Sequence, residues 1–80
     1  MLLLQGMTER ITINPAILCG KPIIRGTRLS VDFIVGLLAG GWSYDDVLKN
    51  YPGVVLDDIL ACLDYAATLL KEERVMPLNV

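Results

Sequence analysis

The sequence contains no histidine, and it has only two cysteines among its 80 residues. Histidine is the usual general base and metal ligand at neutral pH, and zinc sites need clustered cysteines or histidines. Cys19 and Cys62 lack CxxC spacing, and both are predicted to be small buried residues in a reducing compartment. Ser30 and Ser43 have no base in reach and are interpreted as helix caps. We therefore expect no catalytic centre, no metal and no cofactor.

The sequence also lacks an apolar run long enough to cross a membrane. Its longest central run, "FIVGLLAGGW", is about half of the ~20 residues that a spanning helix requires. The first residues, "MLLLQGM", have neither the basic start nor the apolar length of a secretory signal. We therefore expect a cytoplasmic protein with no membrane partner.

Hydrophobic residues nevertheless make up 54% of the chain. A single domain of 80 residues buries only a modest core. The surplus apolar surface is therefore expected to meet another protein chain. A symmetric homodimer is the commonest such assembly, and it is the one predicted here.

Positive charge is concentrated in one segment of a chain whose formal net charge is −2. Residues 10–31 carry four cations and no acid, a net charge of +4, whereas residues 32–73 carry eight acids and two lysines, a net charge of −6. The four cations, which we call the basic arm, are Arg10, Lys21, Arg25 and Arg28. Three interpretations stay open. The arm contacts phosphates with help from exposed glycine amides, or it pairs with acids of a protein partner, or Arg25 and Arg28 lock the hairpin onto Asp32 or onto carboxylates of a dimer mate.

Residue patterns predict a mainly α protein in which a short β-hairpin precedes three helices. Alternation in "RITINP" predicts a first strand, and "KPIIR" predicts a second, with Pro22 at its start or at an edge. Helices are predicted at residues 31–39, 44–50 and 56–73, and the first two are capped by Ser30 and Ser43. We expect residues 1–9 to be a flexible N-terminal segment, 10–73 to form the single domain and 74–80 to be a C-terminal tail.

The third predicted helix is apolar on two sides. One stripe at helical spacing consists of Leu56, Ile59, Leu60, Leu63, Ala67 and Leu70. The second stripe, assigned to the dimer interface, consists of Cys62, Tyr65, Ala66 and Leu69. Such a helix needs two partners, its own core and another chain. Gly36 lowers the stability of the first helix, which is consistent with another backbone approaching closely there.

The short helix, turn and long helix at the end of the domain suggest a helix-turn-helix, whose second helix would enter the DNA major groove. The positions predicted to be exposed at the start of that helix are Asp57, Asp58 and Ala61, where Arg, Lys, Asn or Gln would read bases. DNA binding would therefore depend on the basic arm. A three-helix core that serves only packing stays the alternative.

The segments "GKP", "RGTR", "GWSYDDVLKNYP" and "DDILACLDYA" closely resemble the small bacterial family called domain of unknown function 433. The resemblance covers residues 11–65. It implies a hairpin followed by a homeodomain-like or winged-helix-like three-helix bundle, and it implies a VapB-type antitoxin that acts beside a PIN-like nuclease toxin. The residues that match the signature segment are Gly20, Lys21, Pro22, Arg25, Gly26, Thr27 and Arg28. Family members often have a Ser or Thr cap before the third helix, where this chain has Val55.

Taken together, the residues and the resemblance predict an antitoxin-like regulator rather than an enzyme. As a homodimer it would bind a PIN-like nuclease toxin and promoter DNA. The predicted contact residues are Arg10, Lys21, Arg25, Gly26, Thr27 and Arg28. The alternative is a protein-interaction module that binds no nucleic acid.

Overall fold

A computed structural model describes residues 9–72, and its element order confirms the predicted hairpin and three helices. The strands are β1 (Ile11–Ile13) and β2 (Pro22–Ile24), and the helices are α1 (Val31–Ala39), α2 (Tyr44–Asn50) and α3 (Leu56–Glu72). The predictions of a flexible segment at 1–9 and a tail at 74–80 fall, apart from Glu9, outside the described residues.

Strands β1 and β2 pair antiparallel, with Ile13 opposite Pro22. The Arg25 N–H donates to the Arg10 carbonyl at 2.7 Å. Because hydrogen-bonded and non-hydrogen-bonded pairs alternate in such a ladder, the Ile13–Pro22 pair is a non-hydrogen-bonded one. Proline has no N–H to donate, and none is needed toward β1 at this position. Pro22 therefore starts β2 without loss of a ladder bond.

The connection between the strands holds two non-glycine residues in the left-handed region. Leu18 has φ +50° and Cys19 has φ +58°, and Gly20 follows at +83°. Cys19 is exposed, so the prediction that it is buried is wrong. A left-handed turn this tight runs over the surface and keeps the Cys19 side chain away from the core.

Both predicted N-caps are confirmed. Ser30 Oγ accepts the Phe33 N–H at 3.1 Å. Ser43 Oγ accepts the Asp46 N–H at 3.1 Å, and Asp46 Oδ2 accepts the Ser43 N–H at 2.9 Å. This reciprocal pair is a complete capping box, with aspartate in the place of the usual glutamate.

The core lies where the hairpin and the three helices meet. Its fully buried side chains come from several elements: Ile24 from β2, Ile34 from α1, Val47 from α2, and Ile59 and Cys62 from α3. Burying a large aliphatic side chain stabilises a fold by about 1.5–3 kcal/mol. These few residues therefore hold the helices in place.

The face of α3 that packs on this core differs from the prediction. Leu56 is 43% exposed and Leu70 is 63% exposed, although both belong to the stripe predicted to face inward. Ala61 and Cys62 are instead buried, at 2% and 0% exposure. The core face of α3 therefore lies along the boundary between the two stripes. The prediction missed it because a helix that is apolar on two sides does not itself define which side faces inward. Cys62 therefore belongs to the protomer's own core and not to a dimer interface.

Gly36 is exposed on α1, and a Cβ atom there would meet no other atom within 4 Å. The close backbone approach predicted at this glycine is therefore not made by residues 9–72. Over the same residues, no helix is long and apolar enough to cross a membrane. Nor does any group of three acidic, cysteine or histidine side chains there form a candidate metal site.

Candidate binding surface

The turn after β2 carries the predicted signature residues. The Thr27 N–H donates to the Ile24 carbonyl at 3.0 Å, and Gly26 stands before it with φ +81°. A type II turn needs positive φ at that position, which glycine adopts without strain. Thr27 Oγ1 also donates to the Ile24 carbonyl, at 2.8 Å. Gly26 and Thr27 therefore shape the loop that presents Arg25 and Arg28.

Arg10 connects the start of β1 to the first turn of α3. Its Nη1 lies 3.1 Å from Asp58 Oδ1, and its Nη2 lies 3.5 Å from Asp57 Oδ2. The Asp58 side chain is only 10% exposed. The predicted contact residue Arg10 is thus already engaged within the chain, where it holds the hairpin against α3.

Asp58 has a second role that the sequence analysis missed. Its Oδ2 accepts the Val55 N–H at 3.0 Å, which is the half of a capping box that the third helical residue supplies. The start of α3 therefore has a cap even though Val55 offers no side-chain acceptor. The signal was present in the spacing, because Asp58 follows Val55 by three residues just as Asp46 follows Ser43.

Lys21 also has a partner within the chain. Its Nζ lies 3.4 Å from Asp32 Oδ2, and the two side chains are 58% and 68% exposed. Exposed pairs of this kind contribute little to stability, so the lysine stays available to a partner. The alternative in which Arg25 or Arg28 locks onto Asp32 is not what the structure shows, because Lys21 makes that pair.

Arg25 and Arg28 are the least engaged cations of the basic arm. Arg25 Nε donates to the Glu9 carbonyl at 2.6 Å, and its Nη groups have no partner among residues 9–72. Within the same residues the Arg28 side chain makes no hydrogen bond or ion pair, and both arginines are exposed. Arg25 borders an open depression of about 820 Å³ that Arg10 also lines, and Arg28 borders another of about 400 Å³. Arg25 and Arg28 are therefore the two cations of the arm that have no carboxylate partner among residues 9–72.

The start of α3 offers little to the edges of DNA bases. Of the three residues predicted to be exposed there, only Asp57 is, since Asp58 is 7% and Ala61 is 2% exposed. Leu56, beside Asp57, is exposed and apolar. This turn presents an acid and a leucine instead of the hydrogen-bond donors that major-groove recognition uses.

Three of the four residues predicted for a dimer interface lie together on one surface. Tyr65, Ala66 and Leu69 of α3 face Val31, Val35 and Gly36 of α1 across a depression of about 500 Å³, which we call the α1–α3 groove. Tyr65 and Ala66 are half-buried, and Leu69 is 41% exposed. The fourth residue, Cys62, lies beneath them in the core.

Comparison with known proteins identifies chains that are similar in sequence and in fold. The chain is 33% identical over 63 residues to "Uncharacterized protein y4eO" of Sinorhizobium fredii (strain NBRC 101917 / NGR234). That match covers 79% of this chain but 28% of the relative, so the chain spans less than a third of the relative's length. The fold is similar to the crystal structure of a DUF433 member protein from Anabaena variabilis ATCC 29413, with a TM-score of 0.75 and 28% identity over 89% of this chain and 70% of that one.

The family match covers most of the chain. Residues 11–66 match the family described as "Protein of unknown function (DUF433)". These residues contain the hairpin, α1, α2 and the part of α3 that packs on the core. The resemblance read from the sequence is thereby confirmed at the level of the family, and this chain belongs to the DUF433 family.

Proposed function

We propose that this chain is an antitoxin-like regulator of the cytoplasm, which binds and silences a PIN-like nuclease as a homodimer and has no catalysis of its own. The observation that carries the proposal is the state of the basic arm. Arg10 and Lys21 have carboxylate partners within the chain, whereas Arg25 and Arg28 project from a well-defined turn with donors that no residue among 9–72 binds.

A nuclease offers the chemistry that these arginines recognise. Nucleases that use metal ions gather carboxylates around them. The guanidinium group binds a carboxylate through two parallel hydrogen bonds, which is stronger and more directional than a lysine contact. Two hydrogen bonds from Thr27 to the Ile24 carbonyl hold the loop in one shape, so little backbone entropy is lost when the arginines bind.

The test is binding of the purified chain to the PIN-like nuclease encoded beside its own gene. We expect a stable complex and loss of nuclease activity on an RNA substrate. The Arg25→Ala/Arg28→Ala variant should bind about a hundredfold more weakly, since each charge-assisted contact contributes on the order of 1.5 kcal/mol. The matched control is Lys49→Ala/Lys71→Ala, which removes two exposed cations outside the loop and should bind like wild type.

Two results would contradict this proposal. One is the absence of a nuclease gene beside the chain's own gene together with no binding to nucleases of this type. The other is equal loss of binding in the arginine variant and in the lysine control, because that would indicate a general charge effect. Circular dichroism of each variant shows whether the fold is retained, since Arg25 also bonds the Glu9 carbonyl.

Promoter DNA is the second candidate partner. It is favoured by the order of α2, turn and α3 and by the same two exposed arginines beside Gly26, whose backbone is open. The acidic, apolar start of α3 means that such binding would depend on phosphate contacts. Fluorescence anisotropy with the duplex upstream of the gene tests it, and each arginine removed should reduce the salt slope by about 0.9. No binding at low salt by a chain that does bind the nuclease would favour the protein-only alternative.

A further inference from the structure

The α1–α3 groove is lined almost wholly by apolar atoms and is open to solvent. Leu69 forms part of its wall at 41% exposure, and Leu70, the next residue of α3 but not part of the lining, is 63% exposed. The protomer therefore offers both a hollow and a protruding leucine at the same end of α3. A contiguous apolar surface of this kind is typical of a protein interface.

The charges at the rim of the groove restrict what covers it. Lys21 and Asp32, which pair with each other, both border it. A partner with charge of one sign would satisfy one of them and oppose the other. A two-fold contact places the same patch against itself, and a patch that carries one charge of each sign can be matched in this way, with Lys21 of each copy opposite Asp32 of the partner copy.

Gly36 supplies an independent observation. It lies in the wall of the groove, and a Cβ atom there would contact nothing among residues 9–72 outside its own helix backbone. The described part of the protomer thus gives no reason for glycine at a helical position where alanine is more favourable. A helix of a second copy, packed closely across α1, would give one, because a missing Cβ lets two backbones approach.

We infer that a second copy of this chain covers the α1–α3 groove in a two-fold symmetric contact, with Leu69 and Leu70 of each copy packed against the groove of the other. The inference rests on the homodimer of the proposed function and names its surface. Arg25 and Arg28 do not line this groove, so the contact leaves them free for the nuclease.

The first experiment measures molar mass by sedimentation equilibrium for wild type and two matched variants. Leu69→Lys places a charge in the wall of the groove. Leu56→Lys makes the same substitution on the same helix but outside the groove. The two leucines are similarly exposed, Leu56 at 43% and Leu69 at 41%. We expect wild type and Leu56→Lys to be dimers and Leu69→Lys to be a monomer at the same concentration.

Gly36→Ala provides a second variant that does not depend on Leu69→Lys being folded. Alanine favours the helix, so the variant should be folded at least as stably as wild type when monomeric. A close helix contact across Gly36 would nevertheless be weakened, and we expect the dimer dissociation constant to rise about tenfold. Because Gly36→Ala stabilises α1, weaker dimerisation of this variant cannot result from loss of folding.

Two outcomes overturn the inference. The first is a wild-type chain that stays monomeric at the highest concentration reached. The second is a dimer that neither Leu69→Lys nor Gly36→Ala weakens, which would move the interface elsewhere. Nuclease binding is measured on the same samples. If the wild type binds the nuclease as a monomer, the regulator role stands and this interface is rejected. If the wild type is a dimer through this groove but binds no nuclease, the interface stands and the regulator role is rejected.

Discussion

At the scale of single residues, Asp58 has two separate roles, since it joins the hairpin to α3 and also caps that helix. One oxygen binds Arg10 of the hairpin, and the other caps the first turn of α3 through Val55. Asp57, its neighbour, also meets Arg10, but at 3.5 Å and with 63% of its side chain exposed. The two adjacent aspartates thus differ in how much they stabilise the fold, because only Asp58 is shielded from water.

Replacing Asp58 should therefore be costly, and replacing Asp57 should not. We expect Asp58→Ala to lower the free energy of unfolding by about 2 kcal/mol, since it removes the cap and leaves Arg10 with a weak partner. Asp57→Ala should change it by less than about 0.5 kcal/mol. Urea denaturation followed by circular dichroism measures both. Equal effects of the two substitutions would show that the contacts of Asp58 do not stabilise the fold.

The two cysteines should differ sharply in reactivity. Burial, together with the smaller effect of the negative charge of Asp58, raises the pKa of the Cys62 thiol to about 12, so almost no thiolate forms at neutral pH. Cys19 is exposed. A thiol reagent should modify one cysteine per native chain and two in denaturant, and Cys19→Ser should abolish the fast reaction. Native labelling of Cys62 at a comparable rate would mean that this core opens readily.

At the scale of elements, the bounds of the helices could be predicted because they depend on local chemistry. Ser30 and Ser43 accept the N–H groups that a helix start leaves unpaired, and their positions are visible in the sequence. The inward face of α3 could not be predicted, because two apolar stripes satisfy the same periodicity. Only packing against Ile34 and Val47 places Cys62 inward and Leu70 outward.

The capping box of α2 should depend on pH through Asp46. Hydrogen bonds from the Ser43 backbone and hydroxyl lower the pKa of that carboxyl. The folded state therefore binds the proton more weakly than the unfolded chain. The resulting stabilisation is present above the unfolded pKa, near 4, and is lost as the pH falls through the lower folded value. The stability difference between wild type and Asp46→Asn should thus shrink below about pH 4. A difference that stays constant with pH would assign the effect to helix propensity.

Substitution of the capping serine itself tests the other half of the capping box. Ser43→Ala removes the acceptor for the Asp46 N–H and should cost about 1 kcal/mol in the free energy of unfolding at neutral pH. Ser43→Thr keeps a hydroxyl and serves as the control, with a smaller loss. If both variants are as stable as wild type in urea, α2 is held by packing of Val47 and not by its cap.

At the scale of the whole molecule, charge and apolar surface are divided between two regions. The exposed arginines lie on the loop after β2, and the uncovered apolar surface lies between α1 and α3. The sequence predicted the basic arm as a unit, but it did not reveal that Arg10 is bound to Asp57 and Asp58. Those residues are 47 and 48 positions apart from Arg10, and only the folded chain brings them together.

If the apolar region is a dimer interface, folding and association are one equilibrium. A small domain whose apolar surface is completed by a partner gains stability by mass action, by about 1.4 kcal/mol per dimer for each tenfold increase in concentration. The thermal midpoint of wild type should therefore rise over a roughly hundredfold range of protein concentration, whereas that of Leu69→Lys should stay constant. The Leu56→Lys variant should follow wild type, because its side chain lies outside the groove. A wild-type midpoint that does not change with concentration would mean that the hairpin and three helices are stable alone, and that the apolar surface between α1 and α3 does not contribute to folding through a second copy.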